Sequence, residues 1–243
     1  PLAIIQSMHG RMCSFGVYLA RSPYSFTEDK KKMGRNLDDL TTEQLSLVLN
    51  GLPLLSHAFW GPSEEWCEEI QRAAETKELK HLGEMTGRDD ATHIMTSYIE
   101  TFSDLNTFHQ ILEADYVRLF ISARGGITAS LHHSFYESED GRLMGRPAQM
   151  MASRLKASGL APPGEGSIPA DHLSVEVEYL TLLLEGALGD GNGVFMMAAQ
   201  DFARTELRPW LKQLVKRLET ETDSPFYPAA ARLLLGLVSL IAG

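Results

Sequence analysis

The chain has 243 residues, 44% of them hydrophobic and 22% charged, with 22 Lys and Arg against 32 Asp and Glu for a formal net charge of −10. These proportions exclude collagen-like, low-complexity and fully disordered classes, and a chain of this length buries enough surface to form a core without covalent staples. The negative field repels nucleic-acid phosphates and anionic lipid, and it favours a basic or cationic partner.

Residues 1–40 read as an N-terminal segment of unassigned role, followed by a single helical domain over 41–243. Pro1 to Ala20 scatters His9, Gly10, Arg11 and Gly16 among its apolar residues, so no secretory leader is expected. Cys13 and Cys67 lack any pairing motif and suit a reducing cytoplasm.

The first helix is predicted at Thr41, where Gln44 completes a capping box. Leu45, Val48, Leu49, Leu52 and Leu55 continue its apolar stripe to about Phe59, with Gly51 and Pro53 as points of breakage or kinking. Ser63 then caps a helix opening on Glu64 and Glu65, with Trp66 and Ile70 facing the core. The clearest amphipathic helix follows Ser103 as N-cap, with Leu105, Phe108, Leu112, Tyr116, Leu119 and Phe120 at steps of three and four.

Two long connections come next, residues 122–141 and 157–170, the second carrying Pro162-Pro163-Gly164-Glu165-Gly166. Asp171 is the expected N-cap of a helix bearing Val175, Tyr179, Leu180, Leu182 and Leu183, which stops at the glycines of 189–193. A helix from Phe195 to about Glu206 precedes a break near Pro209, then Trp210, Leu211, Leu214, Val215 and Leu218 resume the pattern. Ser224-Pro225 opens a last helix reaching about Leu240. Strand alternation is weak throughout, so the fold class is an all-α multi-helix bundle. The longest apolar run, Ala229 to Ala242, is interrupted by Arg232, Gly236 and Ser239 and falls short of the ~20 residues a membrane span needs.

The densest polar cluster is Asp171-His172-Leu173-Ser174-Val175-Glu176-Val177-Glu178. Asp171 reads either as a plain helix-start residue that satisfies backbone donors or as a functional acid, and His172 either as an ordinary packed or surface imidazole or as a functional one. Adjacent helical side chains diverge by ~100°, so Asp, His and Ser here form no nucleophilic triad, and Glu176 and Glu178 point to different sides and read as solvated. His132-His133 reads as a solvated loop pair, and no metal-ligand spacing is present. Gly125-Gly126 and the glycines of 189–193 lack the Lys-Ser/Thr of a phosphate loop. Leu131 to Ser138 puts aromatics into a long loop, where they can line a peptide groove or tuck onto the bundle.

Three segments in order resemble the TorD/DmsD/NarJ family of cytoplasmic chaperones for molybdenum-cofactor oxidoreductases. Tyr116-Val117-Arg118-Leu119-Phe120 is similar to the family's Y-x-x-L-F helix end. Phe135-Tyr136-Glu137-Ser138 with Leu143-Met144-Gly145 resembles its P-Y-E-S loop and following L-M-G, and Pro169-Ala170-Asp171-His172 its P-x-D-H helix opening. Gly125-Gly126 stands where the family usually has Gly-Pro, and Phe135 where it has proline.

The resemblance, over about residues 44–240, implies a TorD-like bundle, with connections long enough to exchange helices between protomers, as a monomer or homodimer. It implies a non-enzyme without cofactor that binds the twin-arginine leader, or another segment, of an apo molybdoenzyme subunit before export. Tyr116, Leu119, Phe120, Phe135, Tyr136, Glu137, Ser138, Asp171 and His172 are then the peptide-binding candidates, with the rings supplying apolar contact and Glu137 and Asp171 meeting cationic groups. The alternatives are a nucleotide-binding or hydrolysing protein using Asp171 and His172, and a structural helical adaptor.

Overall fold

A computed structural model describes residues 40–122, 127–160, 168–189, 193–222 and 224–243. The readings that fall on Cys13, Gly125-Gly126, Pro162 to Gly166 and Gly191 lie outside the described residues, as does all of the N-terminal segment except Leu40.

Helix α1 spans Thr42–His57. Its capping box forms as read: Gln44 N–H donates to Thr41 Oγ1 at 3.2 Å, and Thr41 N–H to Gln44 Oε1 at 3.0 Å. Pro53 is accommodated inside the helix rather than ending it. Helix α2, Glu64–Glu75, starts at Ser63, whose Oγ accepts from Trp66 N–H at 3.2 Å. Two short helices follow, α3 at Glu78–Thr86 and α4 at Asp89–Ile99, joined through Gly87 in the left-handed region at φ 65°. Helix α5, Leu105–Tyr116, is capped by Asp104 rather than Ser103, because the Asp104 carboxylate accepts from Thr107 N–H at 2.8 Å. It runs directly into a π-turn, Val117–Ile121, closed by Ser122 N–H donating to Val117 O at 2.8 Å.

The first long connection is not all loop, since it contains a short helix α6, His133–Glu137. Helix α7 covers Arg146–Ala157 and α8 covers Leu173–Gly189. Helix α9, Val194–Phe202, passes through a second π-turn, Ala203–Leu207, into α10, Arg208–Glu221. The break expected near Pro209 is thus a widening. Arg208 N–H reaches Ala203 O across the wider turn, which relieves the crowding between the proline ring and the preceding carbonyls.

Helix α11, Phe226–Ala242, is buried nearly all round and sits at the centre, packing on α1, α3, α4, α9 and α10. Its Phe226 and Tyr227 head an aromatic cluster with Phe59, Trp66, Phe108, Tyr116 and Phe120. The backbone is an all-α bundle; among the described residues the β pairing is an isolated antiparallel bridge, His132 to His172. No described helix is long and apolar enough to cross a membrane.

Candidate functional site

The bridge between His132 and His172 joins the first long connection to the head of α8. His133 N–H donates to Asp171 O at 3.0 Å, and Leu173 N–H to Leu131 O at 2.8 Å. These bonds press α6 against α8 and bring the predicted cluster together. Asp171 is not the N-cap of α8. Its carboxylate turns across to α6, where Ser134 donates to Oδ2 through both its N–H, at 2.7 Å, and its hydroxyl. His172 takes the capping place, its Nδ1 accepting from Ser174 N–H at 3.2 Å. The Ser134 hydroxyl also accepts from Gly145 N–H at 3.0 Å, which ties in the Leu143-Met144-Gly145 turn.

Glu176 and His133, both read as solvated, are buried partners. His133 Nδ1 lies 3.1 Å from Glu176 Oε1, and Trp210 Nε1 donates to Glu176 Oε2 at 2.8 Å. Trp210 stacks with His133 and with Tyr136, each at 5.5 Å between ring centres. Glu178 is half-buried and accepts from Trp60 Nε1 at 3.2 Å, while Trp60 stacks on His172 at 4.7 Å. His172 and the first two turns of α8 therefore hold together the turn after α1, helix α6 and the start of α10.

Burial and charge pull the titratable groups apart. Burial first, then the neighbouring His132, pushes His172 down to about 3 against the opposing charge of Asp171. Burial works against charge on Asp171 too, yet the nearby His132 ring, 3.8 Å from Oδ1, and the two bonds from Ser134 outweigh it and hold that carboxyl low. His133 is also opposed by burial, but Glu176, Glu137 and Glu206 raise it overall. Glu178 is pushed up to about 7 by burial, with the Trp60 bond resisting.

The nine sequence candidates separate into two groups. Tyr116, Leu119 and Phe120 are interior: Tyr116 hydroxyl donates to Phe59 O at 3.3 Å, and Phe120 packs edge-on to Tyr227 at 5.2 Å. Asp171 and His172 are likewise enclosed, at 0% and 7% exposure. Phe135, Tyr136 and Ser138 are half-buried on or beside α6, and Glu137 is exposed. Arg217 covers Phe135 at 5.3 Å and donates from Nε to Thr128 O at 2.5 Å. The reading from sequence missed Ser134, Glu176, Trp210 and Trp60 as members of this cluster. The available signal was Glu176 four residues after His172, one turn along the same face. Among the described residues no group of His, Cys, Asp and Glu is placed to hold a metal ion.

Fold and site define a helical bundle whose motif-bearing segments are stapled by a buried polar seam. The chain belongs to the nitrate reductase delta subunit family, whose model matches residues 71–216. It is similar to the chaperone protein TorD of Psychrobacter sp. (strain PRwf-1), 31% identical over 130 residues, 52% of this chain and 58% of that protein. TorD of Photobacterium profundum is 32% identical over 136 residues, 54% of this chain and 62% of its own. TorD of Vibrio parahaemolyticus serotype O3:K6 is 26% identical over 166 residues, covering 67% and 77%. The chain thus spans about three fifths of the length of the first two relatives.

Proposed function

We propose that the chain is a non-enzymatic maturation chaperone of the TorD type. It binds the twin-arginine leader or another segment of an apo molybdoenzyme subunit in the cytoplasm and holds the subunit until cofactor insertion is complete. The observation that carries this reading is convergence. Tyr116 and Phe120 pack on Phe59, Trp60 beside it stacks on His172, and Asp171 grips Ser134 ahead of Phe135 and Tyr136. All three family-like segments therefore meet at the head of α8, where a rigid seam presents α6 with its partly exposed rings and the exposed side chain of Glu137. A net charge of −10 draws a cationic leader toward the molecule.

Titration of the full chain with a synthetic twin-arginine leader tests this, with binding expected to weaken as salt rises. Absence of binding to both leader and apo subunit removes the reading. A Tyr136→Ala variant that melts lower but binds as well as wild type supports a purely structural adaptor instead.

A further inference from the structure

Helix α5 and its π-turn are apolar on two sides. Inward, Phe108, Leu112, Tyr116, Leu119 and Phe120 enter the core. Outward, Ile111, Ala114, Val117 and Ile121 recur at steps of three, three and four, so that each neighbours the next on the helix surface. Ile111, Val117 and Ile121 are 40%, 40% and 54% exposed. Ile127, 42% exposed, lies two residues before Ala129, whose N–H donates to Leu119 O at 3.0 Å and so ties this stretch back to the π-turn. A surface helix needs one apolar stripe to meet its own core, and a second, contiguous one marks a face that another polypeptide covers.

Charge selects the occupant. Residues 40–122 carry 5 Lys and Arg against 14 Asp and Glu, whereas residues 123–243 carry 11 against 14 and residues 1–39 carry 6 against 4, so the acidity is concentrated in the stretch that contains α5. Helix α2 packs beside α5, with His109 Nε2 3.1 Å from Pro62 O, and exposes Glu64, Glu65, Glu68 and Glu69. A second copy docking this face on itself would set one acidic stretch against another, which like-charge repulsion disfavours. A basic, apolar segment meets no such penalty. Arg217 links the backbone next to Ile127 to α6, bonding Thr128 O and covering the ring of Phe135.

We propose that the outer face of α5 and its π-turn, built from Ile111, Val117, Ile121 and Ile127, seats the apolar stretch of a cationic client segment whose basic residues lie toward the acidic surface of α2. This rests on the chaperone reading and names the chemistry and place of the contact.

The test uses the full chain with a synthetic peptide carrying an Arg-Arg pair ahead of an apolar stretch, and a control peptide with Glu-Glu in that place. Ile121→Asp is expected to weaken binding of the Arg-Arg peptide about tenfold, and Glu-Glu to do the same to the wild type. The melting temperature should hold, because the side chain is largely exposed; Val117→Ser serves as a second, milder variant. Amide exchange should slow over 105–122 on binding. Unchanged affinity in both variants, or protection confined to 131–138, overturns the proposal while leaving the chaperone reading intact. A concentration-dependent dimer that Ile121→Asp dissociates overturns it in favour of a second copy. If no leader peptide binds, a generic cationic amphipathic helix is the next probe. Protection of 105–122 by it upholds the docking face although the chaperone reading has failed, and no protection overturns both.

Discussion

Asp171 shows how a residue in a recognisable motif does its work out of reach of solvent. Its Oδ2 takes two bonds from Ser134 inside the bundle, and replacing the carboxylate leaves a buried N–H and hydroxyl without an equivalent acceptor. Asp171→Ala should therefore cost about 1–3 kcal/mol in chemical denaturation at neutral pH. His172, held near 3, gives folding a pH dependence of definite sign. The unfolded imidazole takes a proton below about 6.5, so the stability that depends on a neutral His172 is complete above that value and is lost as pH falls toward 3. The urea midpoint should drop on acidification, and less steeply in His172→Gln. His133, whose value is raised, acts in the opposite sense: its contribution is full below about 6.5 and is lost as pH rises through its native value. Glu178, near 7, accepts from Trp60, and Trp60 emission should titrate around neutrality in the wild type and not in Glu178→Gln.

At the scale of elements, close approach between helices matters as much as caps. A Cβ on Gly83 of α3 would sit 2.5 Å from Thr92 Oγ1 and 2.9 Å from Thr92 Cγ2 on α4. Gly83→Ala should therefore lose about 1–3 kcal/mol in thermal or chemical unfolding, despite the ~1 kcal/mol that alanine gains by helix propensity. Caps and stripes were legible in the sequence because they are local. Thr41 with Gln44, and Ser63 before Trp66, form the bonds that spacing alone suggests. What spacing could not give was the direction of Asp171, since its partner lies 37 residues away, or the π-turn that lets one helix carry Pro209 without breaking. Helix α6 escaped notice for the same reason. Five residues nucleate no helix alone, and tertiary contacts with Trp210 and Asp171 hold it.

For the whole molecule, periodicity read correctly as an all-α bundle, but composition averaged away the charge. A single figure of −10 conceals a strongly acidic stretch, residues 40–122, with 5 Lys and Arg against 14 Asp and Glu, beside a slightly basic 1–39 with 6 against 4. Salt should therefore slow the association of a cationic peptide more than it speeds release, a difference that stopped-flow measurements resolve. The resemblance likewise made Tyr116 and Phe120 peptide-binding candidates, but those rings fill the interface between α5, α11 and the end of α1.

The seam at the head of α8 also sets an order of events during folding. Ser174 Oγ donates to the carbonyl of Ser56, 118 positions earlier in the chain, and Glu176 waits for Trp210, 34 positions later. A ribosome-bound chain cannot close that knot until α10 has emerged, so the N-terminal helices must persist meanwhile with their ends undocked. Ser174→Ala should then hasten unfolding while leaving the refolding rate nearly untouched, the mark of a contact made after the rate-limiting barrier has been crossed.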